Sequence, residues 1–447
     1  MPERFLIKGA LPLSGEVKIS GYKNSAGAVL AASLLTDKPS IIDNLPLCSD
    51  VLDEIEILKK MGAEIEWLNG RKIKISPKNI NPEKIPANLF EKMRVSILLL
   101  GPLLTRFKKL KIPHPGGDKI GLRPISAHLD AFRNFGIKIE EKNGFYYFET
   151  PKKLDYTRPP PEGPKRKFGR EEGGSESRLR RAPERKIVLK EFSVTATENI
   201  MMIATKARGK TKIEIAAAEP QVQDLGKFLE KMGLKIKGVG THTIEIEGKK
   251  KLSGANFKIS PDWSEAGTFL IAFAITGGQG KIKNVNPDHL TMFLEKMKEI
   301  GVNFEVKRDE ILVKPSKKFK PTKIQVLPYP GFPTDLQPQT SVLLTQAEGK
   351  SLIHDPLYEN RFQYLHELRK MGADIEITDP YRALIFGKRK LIGNKLNASD
   401  IRSGAALVLA ALAAKGTSEI EGISQIDRGY EKFDEKLKKL GVKIKRI

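Results

Sequence analysis

Six stretches of the chain share one pattern of apolar and polar positions: an amphipathic helix end, a glycine, then a strict alternation. They are LKKMGAEIEW (58–67), FRNFGIKIEE (132–141), LEKMGLKIKG (229–238), MKEIGVNFEV (297–306), LRKMGADIEI (368–377) and LKKLGVKIKR (437–446). The alternation predicts a half-buried strand after each glycine. The glycines themselves (Gly62, Gly136, Gly233, Gly301, Gly372 and Gly441) suit the left-handed cap that closes a helix.

A second set precedes them, in which small and apolar residues run on with little polar relief. These begin near NSAGAVLAASLL (24–35), RVSILLLGPLL (94–104), TENIMMIATKA (197–207), EAGTFLIAFAI (265–275), TSVLLTQAEG (340–349) and RSGAALVLAALAA (402–414). Helices apolar nearly all round belong in a core. The pattern therefore predicts a unit of about 70 residues with one buried and one amphipathic helix, repeated six times. Units this long, without one uniform period, predict two globular α/β (α+β) domains of three units each rather than a solenoid.

One interval between the glycines is longer than the rest, and the excess falls at 156–186, YTRPPPEGPKRKFGREEGGSESRLRRAPERK. Proline, glycine, serine and charge leave little to bury, so this stretch predicts a disordered surface insertion.

Composition narrows the class. The 447 residues include a single cysteine, Cys48, which rules out an intramolecular disulfide and fits a cytosolic setting. The N-terminus lacks the apolar core of a secretory signal, and the longest apolar run, 404–414, is too short to span a bilayer. Six scattered histidines show no ligand spacing and a zinc site has no cysteines to use, so no metal is expected; no other cofactor is expected either. The formal charge of +24 admits nucleic-acid binding, steering of small polyanions or a merely solvated surface. The basic residues are spread along the chain with few aromatics among them, which favours small polyanions over nucleic acid.

Residues 113–124, PHPGGDKIGLRP, set paired glycines beside Asp118, Lys119 and Arg123. Alone they fit either a turn with solvated charges or a mobile lid carrying an acid. SGYKNSAGAVLAASLL (20–35), PGGDKIGLRP (115–124), SVTATENIMM (193–202), FPTDLQPQ (332–339), ENRF (359–362) and IDRGYEK (426–432) follow in one order. Together they resemble the UDP-N-acetylglucosamine 1-carboxyvinyltransferase family, over the whole chain apart from 156–186.

The resemblance implies two domains forming inside-out α/β barrels, residues 22–259 and residues 1–21 with 260–447, and a cleft between them. It implies transfer of the enolpyruvyl group of phosphoenolpyruvate to the 3-hydroxyl of UDP-N-acetylglucosamine through a tetrahedral ketal, with release of phosphate. Such a reaction needs a base for the hydroxyl, an acid for the methylene carbon and cations for phosphate and carboxylate.

Asp118 stands where the family usually carries a cysteine, which makes the loop a lid and Asp118 the proton donor. An ordinary aspartate titrates near ~3.9, so closure or the substrate phosphate must protonate it. Without the thiol, covalent inactivation by fosfomycin is not expected. Asp335, on its own reading a turn former between prolines, is by resemblance the base. Lys23 and Asn24 open a buried helix whose N-terminus suits phosphate.

Arg94, Arg123, Arg402 and Arg428 are read as phosphate and carboxylate clamps at matching repeat positions. Lys23 and Arg402 are assigned to catalysis as well as binding. The resemblance carries Arg123, Pro124, Ile125, Ser126, Ala127, Ser193, Val194 and Leu357 over to the sugar nucleotide. Thr195 and Glu191 depart from the family where glycine and a basic residue are frequent. Two other readings are 3-phosphoshikimate 1-carboxyvinyltransferase, against which SGYKNSAG and the glycine loop speak, and a non-catalytic binder of sugar nucleotide or RNA.

Overall fold

The computed structural model describes residues 3–151, 154 and 184–447. Buried apolar side chains form two separate clusters, one drawn from residues 26–259 and the other from residues 5–22 and 263–444. The chain passes between these halves twice, and the two crossings lie side by side. Tyr22 N donates to Ser260 O at 2.9 Å and Asp262 N to Ser20 O at 2.9 Å.

Among the described residues the strands form five four-stranded sheets and one three-stranded sheet. Each four-stranded sheet holds one parallel pair in an otherwise antiparallel arrangement. Ser40–Asp43, for example, pairs parallel with Asn256–Lys258 and antiparallel with Lys72–Ser76. Ile73 and Ile75 of Lys72–Ser76 face the core while Lys72 and Lys74 face outward, as the alternation predicts.

The six glycines each sit between a helix end and a strand, with φ from +75° to +103°. That conformation disfavours any side chain with a Cβ, so the glycine marks the helix end. The apolar helices Lys23–Ser33, Val194–Ala204, Trp263–Ile275, Gln337–Leu344 and Ile401–Ala413 are almost wholly buried. No helix among the described residues is long and apolar enough to cross a membrane.

Two expectations need correction. The stretch 94–104 is not one helix: it runs as a 3-10 turn, Val95–Leu99, into the helix Leu100–Arg106. Pro102 has no N–H to complete the ladder. The side chain of Asn199 interrupts it too, accepting from Gly101 N at 2.7 Å and donating to Ile97 O at 3.1 Å. Second, residues 184–186 belong to the strand Glu184–Val188, which pairs parallel with Lys210–Glu214. Composition disguised this segment, because its inward residue Arg185 buries a guanidinium 4.5 Å from the centre of the Phe135 ring. The remainder of the expected insertion, from 156 to 183, lies outside the described residues.

Candidate active site

A cavity of about 690 Å³ opens between the two halves. Lys23, Asn24, Asp50, Arg94, Asp118, Arg123, Pro124, Ser193 and Val194 reach it from one half; Asp335, Leu357, Arg361, Arg402 and Arg428 reach it from the other. Ile125, Ser126 and Ala127 do not line it. Ile125 and Ala127 turn into the core, and Ser126 begins the helix Ser126–Arg133.

Lys23 starts a helix whose preceding residue, Tyr22, makes no side-chain cap, so no side chain at that position blocks the first amides. Lys23 Nζ lies 2.7 Å from Asp50 Oδ2, and Asp50 Oδ1 accepts from Arg428 Nε at 3.0 Å. Arg428 Nη1 donates to Asp118 Oδ1, which couples the glycine loop to the opposite half. Burial pushes the Asp50 carboxyl up, but Lys23 and Arg428 overcome this and hold it below the usual carboxylate range.

The loop has further anchors there. Asn360 Nδ2 donates to Lys119 O at 2.8 Å, Asn360 N to Ile120 O at 3.1 Å, and Leu122 N donates to Glu359 Oε1 at 2.5 Å. Gly117 and Gly121, at φ of +123° and +150°, give the loop a path that other residues resist. Loop and opposite half are thus in contact, and Leu122 at its tip remains 85% exposed.

Asp335 follows Pro333 in the turn Thr334–Leu336. Its Oδ2 accepts from Arg402 Nη2 at 2.8 Å and its Oδ1 from Arg361 Nη2 at 3.3 Å. Burial would raise this carboxyl, yet Arg402 and then Arg361 bring it below its ordinary value. Arg402 is held at the helix start by Asp400, which accepts from the Arg402 and Ser403 amides at 3.0 Å. Its Nη1 has no acceptor among the described residues, so one donor remains for a ligand.

Arg94 donates to Pro124 O at 3.1 Å, and burial with repulsion from Arg123 lowers its pKa to about 10. Burial and Arg94 push His128 down to about 3, so its ring is neutral and lies 3.0 Å from the Thr195 hydroxyl. The Ser193 hydroxyl caps its own helix, accepting from Ala196 N at 3.4 Å. Cys48 is buried outside the cavity lining, its thiol pushed up to about 12 chiefly by burial.

The four arginines do not occupy equivalent places. Arg94 precedes a 3-10 turn and Arg402 lies inside a helix, whereas Arg123 is on the loop and Arg428 follows the short helix Ser424–Asp427. Pro124 bars helix at Arg123, and Gly429 follows Arg428. Sequence reasoning also passed over Asp50, Arg361 and the Glu359–Asn360 pair. ENRF was a visible signal for the last three, and Asp50 lies two residues after Cys48 in NLPLCSD.

The model of the EPSP synthase family (3-phosphoshikimate 1-carboxyvinyltransferase) matches residues 7–155 and 175–437. UDP-N-acetylglucosamine 1-carboxyvinyltransferase 1 of Caldanaerobacter subterraneus subsp. tengcongensis is 43% identical over 447 residues, covering 100% of both chains. The protein named UDP-N-acetylglucosamine 1-carboxyvinyltransferase 1 in Carboxydothermus hydrogenoformans is 41% identical, covering 100% of this chain and 98% of its own. Among solved structures, the enolpyruvyl transferase NikO from Streptomyces tendae superposes with a TM-score of 0.84 at 23% identity, over 100% of this chain and 99% of its own. That likeness establishes the mixed α/β enolpyruvyl transferase fold.

Proposed function

Because the chain belongs to the UDP-N-acetylglucosamine 1-carboxyvinyltransferase family, we propose that it moves the enolpyruvyl group of phosphoenolpyruvate to the 3-hydroxyl of UDP-N-acetylglucosamine (EC 2.5.1.7). The observation that carries this reading is the convergence of two aspartates, Asp118 and Asp335, with Lys23, Arg402 and Arg428 on one cavity. Both acids are tethered to cations, Asp118 to Arg428 and Asp335 to Arg402. The donor brings two anionic groups that compete for those cations. Its phosphate claims Arg428 and Lys23 and frees Asp118; its carboxylate claims Arg402 and frees Asp335.

The released Asp118 then stands beside the donor, where the acid of the addition step is needed. In the addition step the sugar O3–H bond breaks, its proton passes to Asp335, and O3 bonds to C2 of the donor. The C2–C3 π pair takes the proton of Asp118. In the elimination step Asp118 removes a proton from C3, the C2–O bond to phosphate breaks, and Asp335 returns its proton to the departing phosphate. Asp118 is a carboxylate nucleophile at best, so fosfomycin leaves the enzyme active.

The architecture is read as two domains, 22–259 and 1–21 with 260–447, each an inside-out α/β barrel of three units. Two separate apolar clusters and six sheets support that division. Phosphate release from phosphoenolpyruvate, followed with UDP-N-acetylglucosamine, with shikimate 3-phosphate and without acceptor, tests the function. Release that needs the sugar nucleotide is expected; release only with shikimate 3-phosphate, or none with either acceptor, overturns the reading.

A further inference from the structure

Asp50 is only 6% exposed, and each of its oxygens is committed to a different cation. Oδ2 takes Lys23 Nζ at 2.7 Å from its own half, and Oδ1 takes Arg428 Nε at 3.0 Å from the other. Arg428 Nη1 turns to Asp118, and also donates to Gln425 Oε1 at 2.9 Å. The result is a charge ladder, Lys23–Asp50–Arg428–Asp118, that begins at a helix N-terminus and ends on the glycine loop. A buried carboxylate is tolerated when its partners stay in place, and stripping one away leaves an uncompensated charge. Among the described residues, Asp50, on the helix Ser49–Lys60, has two cationic partners, and Asp118, on a loop, has one. When an anion competes for Arg428, Asp118 is the acceptor that yields.

We propose that Asp50 is a positioning residue of the phosphate subsite: it binds Lys23 and Arg428 to one carboxylate, so that cations from the two halves aim at a single phosphate and Asp118 alone is displaced. The proposal rests on the reading above that Asp118 must be released, but its binding half needs no turnover.

The sign of the effect separates positioning from field strength. Asp50→Asn and Asp118→Asn each remove one negative charge beside Arg428, and by field alone both should tighten anion binding. If Asp50 positions and Asp118 competes, the two act in opposite directions. Calorimetric titration of the full chain with inorganic phosphate reads this directly. Asp118→Asn is expected to tighten phosphate about threefold, and Asp50→Asn to weaken it at least about tenfold, as loss of a buried charge partner does.

In turnover, Asp50→Asn should raise KM for phosphoenolpyruvate while KM for the sugar nucleotide stays unchanged. Asp50→Glu keeps the charge but shifts it by one methylene, and should also weaken phosphate, by about threefold or more. Phosphate binding in Asp50→Asn as tight as the parent's overturns the proposal, as does parental affinity in Asp50→Glu or an unchanged affinity in Asp118→Asn. If sugar-dependent phosphate release were absent but these signs held, the catalytic reading would fall and the subsite would stand.

Discussion

Arg402 Nη2 lies 2.8 Å from Asp335 Oδ2, joining a helix start to a proline-bounded turn across 67 residues of sequence. Arg361 approaches the other oxygen at 3.3 Å. The pairing keeps Asp335 ionised, which the proposed base role requires, and an anion that took Arg402 would raise its basicity.

Asp335→Asn should therefore lower kcat by about 10²- to 10⁴-fold, the range for loss of a positioned base. The variant should still fold, at some cost in melting temperature, because the buried Arg402 and Arg361 lose a carboxylate partner while the Asp400 cap on the helix is untouched. Steady-state kinetics beside a thermal melt would check this; a parental rate contradicts the base role.

At Gly121 the backbone is left-handed, and a side chain there would displace the Glu359 carboxylate that accepts from Leu122 N. A Cβ there would stand 2.5 Å from Glu359 Oε2, at a φ of +150°. Gly121→Ala should push the loop off its anchors and misplace Asp118, and a displacement of about 1 Å at a reacting group costs up to about 10²-fold in rate. Turnover should fall with little change in melting temperature. Undiminished turnover would show that loop docking is unnecessary.

Glu54 and Glu198 are buried, with both oxygens of Glu54 and one of Glu198 lacking a partner among the described residues. Burial, with Asp50 and Glu198 adding repulsion at Glu54 and Glu219 at Glu198, pushes both carboxyls well above their usual range. The folded state keeps protons that the unfolded chain releases above about pH 4.3. Stability from these groups is complete below that pH and is lost as pH rises towards their folded values. Glu54→Gln and Glu198→Gln should thus gain melting temperature over the parent between about pH 5 and about pH 8. A difference that stays constant with pH would contradict this.

Cys48 supplies the chain's one thiol, and burial pushes it up to about 12. Fosfomycin and iodoacetamide should leave the folded protein's mass unchanged over times that fully alkylate the denatured chain. A rapid adduct on the native protein, at Cys48 or at Asp118, would contradict the assignment.

The helix-ending glycines and the apolar helices were legible because each rests on a local rule, the left-handed cap or all-round hydrophobicity. The places of Asp118 and Asp335 on the cavity were legible only through motif order, since glycine, proline and aspartate are equally at home in plain turns. Asp50 and Arg361 stayed hidden because what brings them to the cavity is pairing with partners far along the chain. Asp50 meets Arg428 at a separation of 378 residues, which no local pattern encodes. Arg185 misled in another way. Its charge read as solvated surface, yet it is 2% exposed and stacks on Phe135. The broken helix at 95–99 needed Asn199, whose side chain crosses about a hundred residues of sequence to enter the ladder.

The central claim is that Asp118, freed from Arg428, gives its proton to the methylene carbon of the donor. Deuterium incorporation measures it most directly. Parent and Asp118→Asn are incubated in D₂O with phosphoenolpyruvate and UDP-N-acetylglucosamine, and the methylene of product and recovered donor is read by mass spectrometry. The account predicts deuterium in the parent's methylene groups and none, with no product, in Asp118→Asn. Equal incorporation in both proteins would contradict it and move the proton donor elsewhere in the cavity.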